Sequence, residues 1–289
     1  MTEAIVLAEK VSKKYGPNYA LHNVDLKVDS GEIVGIFGPN GAGKTTFLRA
    51  LLGLGRAEGK ISVLGRDVDT HPSAMMTDVS FIADTATLPR WIRVEDCLDY
   101  VECVHPRFSR ARVEEYLART NIAKSKKISQ LSKGMITQLH LAIVMSIDSK
   151  LLVLDEPTLG LDIVYRKTFY SNLLDNYFDQ NKTILITTHQ IEEIEDIVTR
   201  IVFIDNGSVL LDAKVDELAE RFFEVKVGAA LVDVAQALSP LYSSSGLEGK
   251  TFWYDSSEEK LQGLGELKTP KLADLFVAKV MHANNGGLR

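Results

Sequence analysis

The run Gly38-Pro39-Asn40-Gly41-Ala42-Gly43-Lys44-Thr45 constrains this chain more than any other feature. It matches the pattern G-x-x-x-x-G-K-[ST], and its flanks are those the pattern requires. Upstream, Ile33-Val34-Gly35-Ile36-Phe37 is apolar without alternation, as a strand buried on both faces must be. Downstream, Thr45 to Leu52 reads as a helix. Glycines let the backbone curl until successive N–H groups point at phosphate oxygens. The helix N-terminus adds its partial positive charge, and Lys44 reaches the terminal phosphates. Thr45 offers a hydroxyl to Mg²⁺, whose other ligands are phosphate, water and carboxylate oxygens. Thr46 follows in the same turn and joins the nucleotide-binding set. An α/β fold with a parallel sheet is the expectation.

A second apolar run, Leu151-Leu152-Val153-Leu154, ends in the adjacent carboxylates Asp155 and Glu156. A parallel sheet delivers ligands at such strand ends. Asp155 suits the Mg²⁺ shell, and Glu156 suits the orientation and polarisation of an attacking water. Thr183–Thr187 and Ile201–Ile204 continue the parallel pattern, and Asp205-Asn206-Gly207-Ser208 reads as a hairpin turn. Ile5-Val6-Leu7 and Leu21 to Val28 read as alternating strands around Gly16-Pro17-Asn18. Apolar residues at helical spacing from Val94 to about Thr120 mark a helical insertion, spanning about 88–145 in all. Residues 1–219 are expected to form the main unit and 220–289 a small accessory domain. The latter shows strand-like Phe222 to Val227, a Ser/Gly-rich stretch from Ser243 to Gly249, and a helix from Pro270 to about Met281 before a frayed tail.

The 289 residues carry 33 Lys and Arg against 39 Asp and Glu, a net charge of −6, so no nucleic-acid partner is expected. No apolar run approaches the ~20 residues needed to span a bilayer. Cys97 and Cys103 lack metal or redox spacing and read as packing residues in a reducing compartment.

Between the phosphate loop and the carboxylate strand lies Leu131-Ser132-Lys133-Gly134-Met135, similar to the LSGGQ signature of the ATP-binding cassette (ABC) ATPases. Gly160-Leu161-Asp162 resembles that family's D-loop, His189 its switch histidine, and Lys13-Lys14-Tyr15-Gly16 the segment whose aromatic residue stacks on adenine. The resemblance covers roughly residues 3 to 215. It implies a P-loop NTPase cassette with antiparallel β and helical subdomains, binding ATP and Mg²⁺. It also implies a head-to-tail dimer, with itself or a homologous cassette, in which Ser132 and Gly134 of one subunit close the nucleotide held by the other. Asp162 joins the nucleotide set, and His189 acts beside Glu156 at the γ-phosphate. The implied role is the ATP-hydrolysing subunit of a transporter, cytoplasmic and held at the inner face of the membrane by a separately encoded transmembrane partner. The short appendage and the Lys-Gly-Met signature resemble exporter-type bacterial cassettes. The alternative is a soluble non-transport ABC ATPase that clamps another assembly.

The sequence departs from the family at several points. Lys133 replaces a glycine and Met135 a glutamine, and Lys133 either adds charge near the γ-phosphate or is solvated. Asp84 stands where the family's glutamine is expected. It either ligates Mg²⁺ or lines the groove for the membrane partner. Trp91 is either an exposed anchor for that partner or buried within the insertion.

Overall fold

The computed structural model describes residues 4–70, 72–83, 88–179, 181–246 and 249–286. Asp84 lies outside them, so its expected place in the Mg²⁺ shell has no structural counterpart here.

The chain opens with a long antiparallel pair, β1 (Ala4–Tyr15) and β2 (Asn18–Asp29). The sequence shows β1 only at Ile5–Leu7, because alternation fails at Glu9 and Lys10. There the register shifts between Ala8 and Val11, and Lys10 takes a φ of 51°. β3 (Ile33–Phe37) then runs buried along its whole length into the phosphate loop, and α1 (Lys44–Leu51) follows. β4 (Glu58–Val63) and β5 (Arg66–Asp67) complete an antiparallel sheet of order β2-β1-β4-β5.

After α2 (Pro72–Met76) comes β6 (Val79–Ile82). The insertion follows as α3 (Val94–Val104), α4 (Arg110–Ala118) and α5 (Lys133–Met145). Its interior is a cluster of its own, with Val94, Leu98, Val113, Ile128 and Leu139 fully buried. Trp91, at 76% exposure, lies outside that cluster, which excludes the buried alternative.

β7 (Leu151–Asp155), α6 (Ile163–Asn172), β8 (Thr183–Thr188), β9 (Arg200–Asp205) and β10 (Ser208–Lys214) complete the central sheet. Its order is β10-β9-β3-β8-β7-β6, parallel throughout except for the hairpin strand β10. One face packs on α1 and the antiparallel sheet through Phe47, Leu48, Val153 and Leu185. The other packs on α5 and α6 through Leu154, Ile186, Phe169 and Tyr170. The carboxyl ends of β3, β7 and β8 therefore lie side by side, where a parallel sheet places its ligand.

α7 (Val215–Arg221) leads to β11 (Phe222–Val227), α8 (Val232–Ala237), β12 (Tyr242–Gly246), β13 (Gly249–Asp255) and β14 (Leu267–Lys268). These strands form an antiparallel sheet of order β12-β13-β11-β14. The serine-rich stretch from Ser243 is thus a strand: pairing with β13 and the stacking of Tyr242 on Trp253 override its weak intrinsic preference. The last helix, α9 (Leu272–Gly286), runs five residues beyond the expected end near Met281. It also leaves the four-stranded sheet. Leu272 and Leu275 join the cluster on the α5–α6 face, and Phe276 meets Phe203 of β9 edge-on at 5.1 Å.

Candidate functional site: the phosphate-loop cleft

The phosphate loop is shaped by glycines with different duties. A Cβ on Gly38 would lie 2.3 Å from the Ile204 carbonyl oxygen, so backbone contact alone demands glycine there. Gly43 takes a φ of 107° and approaches the Ala20 carbonyl equally closely. The loop is clamped from outside by the hairpin between β9 and β10. Gly207 N–H donates to the Ala42 carbonyl at 2.9 Å, and the Gly207 carbonyl accepts from His22 N–H of β2 at 2.8 Å. Asn206 and Gly207 both have positive φ, as a two-residue type I′ turn needs. The sequence shows that turn. It does not show that the turn braces the phosphate loop.

Lys44 is only 6% exposed, and its ammonium donates to the carbonyls of Gly38 at 2.7 Å and Pro39 at 3.2 Å. Burial lowers its pKa, and the nearby Glu156 partly offsets that shift. Its Nζ lies 3.6 Å from Glu156 Oε1. The other oxygen of Glu156 lies 2.8 Å from His189 Nδ1. With the carboxylate ionised, Nδ1–H donates to it and Nε2 is left on the far side of the ring. Phosphate-loop lysine, carboxylate and switch-position histidine thus form one chain of contacts.

The backbone at Glu156 is strained. Its φ is 47°, and for a non-glycine residue such a conformation costs about 1–3 kcal/mol and persists only where the surroundings impose it. Here Glu156 N–H donates to the Thr187 carbonyl at 3.1 Å and to Thr187 Oγ1 at 3.2 Å. The same Thr187 hydroxyl donates to Asp155 Oδ1 at 2.5 Å. Thr187 of β8 therefore fixes the Asp155 carboxylate and the backbone of Glu156, a role invisible in the sequence, where it reads as one more strand residue. Asp155 itself is fully buried.

A cleft of about 390 Å³ opens over these groups, lined by Tyr15, Ala20, Asn40, Gly41, Ala42, Gly43, Lys44, Thr45, Thr46, Glu156, Leu159 and His189. Most of the residues expected from the sequence meet here. Tyr15 stands at its rim, 59% exposed, at the end of β1. Gly38 and Pro39 lie behind it and hold Lys44. Ala20 and Leu159 are lining residues the motifs did not indicate.

Apart from Gly38, Pro39 and the fully buried Asp155, three expected residues are not in that lining. Ser132 caps α5, its hydroxyl accepting from Met135 N–H at 3.2 Å, and is exposed. Gly134 follows in the first turn and packs near Gly160 and Leu161. Asp162 caps α6, accepting from the N–H groups of Val164 at 3.0 Å and Tyr165 at 3.1 Å. The Lys133 stem lies over Gly160. The signature and the D-loop thus adjoin each other in one chain, apart from the cleft they are expected to complete.

Thr45 and Asp155 offer hard oxygen donors of the kind Mg²⁺ takes, while no group of three or more His, Cys, Asp or Glu among the described residues could hold a metal unaided. That donor set fits an ion which draws its remaining ligands from phosphate and water.

A sequence model of the ABC transporter family matches residues 21–159. The ABC transporter ATP-binding protein YtrB of Bacillus subtilis (strain 168) is 30% identical over 283 residues, covering 93% of this chain and 96% of that protein. The Nod factor export ATP-binding protein I of Cupriavidus metallidurans is 31% identical over 268 residues, covering 87% and 86%. Among solved structures, an ATP-binding subunit of an ABC transporter superposes with a TM-score of 0.66 at 25% identity, over 74% of this chain and 91% of that one.

Proposed function

Because this chain belongs to the ATP-binding proteins of ABC transporters, ATPases whose turnover is coupled to transport through a transmembrane partner, we propose that two cassettes close head to tail around ATP and Mg²⁺ to drive an exporter. The observation that carries this reading is the separation of the two half-sites. Lys44, Glu156 and His189 converge on one cleft, while Ser132 and Gly134 stand outside it at the exposed start of α5. A phosphate loop leaves one side of the γ-phosphate open. A helix N-terminus with a hydroxyl cap, such as the start of α5, is suited to close that side when a second cassette presents it. No helix among the described residues is long and apolar enough to cross a membrane, which agrees with a pore on another chain. A relative named for Nod factor export supports the outward direction. Exposed Trp91, at the start of the insertion, is the residue we assign to the membrane partner's contact.

In this scheme the phosphate-loop N–H groups and Lys44 hold the phosphates, and Tyr15 stacks on the base. Thr45 and Asp155 hold Mg²⁺, which supplies charge neutralisation at the phosphates. Glu156 orients the attacking water, and His189 holds Glu156 in register. In-line phosphoryl transfer rests mostly on such positioning and charge. Inside each cassette the geometry is ready before closure, because Thr187 and His189 already fix both carboxylates.

Glu156→Gln keeps the shape and removes the charge. Turnover should fall by about two to three orders of magnitude while ATP binding persists, and an ATP-bound dimer should accumulate in size-exclusion chromatography. Undiminished turnover would remove Glu156 from the mechanism. An ATP-bound monomer would remove the head-to-tail dimer.

A further inference from the structure

Next to the catalytic pair lies a small polar niche. Glu156 and His189 line it together with Leu159, Thr188, Thr158, Arg166, Gln190 and Glu193. The last four belong to no sequence motif used above, yet they are closely bonded to one another. Arg166, on α6, reaches three places at once. Its Nε donates to the Leu161 carbonyl at 2.8 Å, its Nη1 to Gln190 Oε1 at 2.7 Å, and the same Nη1 pairs with Glu193 Oε1. The second oxygen of Glu193 accepts from Thr158 Oγ1 at 2.7 Å. Thr158 is buried, as is Tyr170, whose hydroxyl lies 3.3 Å from Thr158 Oγ1.

These bonds connect particular loops. Thr158 and Leu161 lie in the segment that leaves β7 through Glu156 and ends at the Asp162 cap. Gln190 and Glu193 lie in the segment that leaves β8 through His189. One guanidinium and one carboxylate therefore tie the loop carrying Glu156 to the loop carrying His189, with each loop held at two points. A planar, always-charged guanidinium can serve three acceptors in fixed directions, which a lysine ammonium on its flexible stem does less well. The pair is only partly shielded from solvent, so its value lies in geometry rather than in raw ion-pair strength.

We propose that Arg166, acting with Glu193, is a positioning residue for ATP hydrolysis: it holds the loops of Glu156 and His189 in register so that their 2.8 Å contact survives when nucleotide binds and the cassettes close. Arg166 touches no phosphate itself. This inference rests on the assignment of Glu156 and His189 to the reacting centre.

The test uses the full chain with three variants, Arg166→Gln, Arg166→Lys and Gln190→Ala, beside Glu156→Gln. In Arg166→Gln, kcat should fall about tenfold, while KM for ATP and affinity for a non-hydrolysable ATP analogue stay within about twofold, because sub-ångström misplacement costs turnover rather than binding. Arg166→Lys should recover part of the loss. Gln190→Ala, which cuts one of the two links from Arg166 to the His189 loop and leaves the ion pair, should lower kcat about threefold. Wild-type kcat in a folded Arg166→Gln protein would overturn the proposal. So would a parallel loss of kcat, analogue affinity and melting temperature, the pattern of a purely structural role. Should Arg166→Gln fail to fold, Gln190→Ala decides: unchanged kcat there overturns the proposal. An inactive Glu156→Gln beside a fully active Arg166→Gln defeats this inference alone, whereas an active Glu156→Gln defeats the reading beneath it.

Discussion

The cleft at the ends of β3, β7 and β8 and the four-stranded C-terminal sheet are both well packed, yet they bury opposite kinds of group. The cleft buries Lys44, Asp155, Thr187 and Thr188, and it holds Glu156 in a left-handed conformation. The C-terminal sheet buries Val225, Val227, Phe252 and Tyr254, and the Tyr254 hydroxyl is satisfied by the Ala235 carbonyl at 2.8 Å. Buried charge and backbone strain are costly, and they persist where surrounding bonds impose them. Thr187, His189 and the loop carbonyls impose them in the cleft. Among the described residues of the C-terminal sheet, no charged side chain is buried. The difference separates a region selected for chemistry from one built for packing.

The comparison is tested most severely at Lys44. Lys44→Ala should abolish tight ATP binding in a titration while leaving the melting temperature near that of the parent, because the buried ammonium is replaced by a group with no desolvation cost. Unchanged affinity would break the assignment of the cleft.

Phe252→Ala should do the reverse. Emptying a fully buried aromatic position costs about 3–5 kcal/mol, visible in denaturant unfolding, with ATP affinity of the folded protein unchanged. A parallel loss of affinity would show that the sheet supports the cleft through α9.

The smallest effect is expected at Asp255, where the appendage is stitched to α7 and α9. Burial would raise its pKa, but hydrogen bonds from Arg221 at 2.7 and 2.9 Å and from Lys279 at 2.9 Å hold the carboxyl below its ordinary value. A depressed carboxyl contributes stability above its unfolded pKa and loses it as pH falls through the folded one. Asp255→Asn should therefore cost at most about 1 kcal/mol at neutral pH, and nothing once the parent carboxyl is protonated in strong acid. A cost that persists in acid would mean the residue acts through packing.

Much of the cleft was legible in the sequence because its chemistry is contiguous. The phosphate loop, the Asp155-Glu156 pair and the Asn206-Gly207 turn are each set by neighbours in the chain, where local backbone geometry decides. The C-terminal region was read less well. Phe222–Val227 showed itself as a strand through β-branched and aromatic alternation, whereas β12 did not, because serine gains its place only from the strand beside it. The expected helix end near Met281 failed for a related reason. Leu275 and Ala278 bury one face of α9, and that packing carries the helix past Met281 into residues of weak propensity.

By itself, then, the sequence determined a phosphate-binding α/β cassette with named candidate ligands, since buried-strand composition and a glycine-rich loop leave few alternatives. Only the tertiary structure decided what holds those ligands in place. The brace of Gly207 on the phosphate loop, the grip of Thr187 on the Asp155 carboxylate and the Glu156 backbone, the tie of Arg166 between two loops and the return of α9 to Phe203 all join distant segments. Such pairings depend on strand order, and strand order leaves no mark on local periodicity.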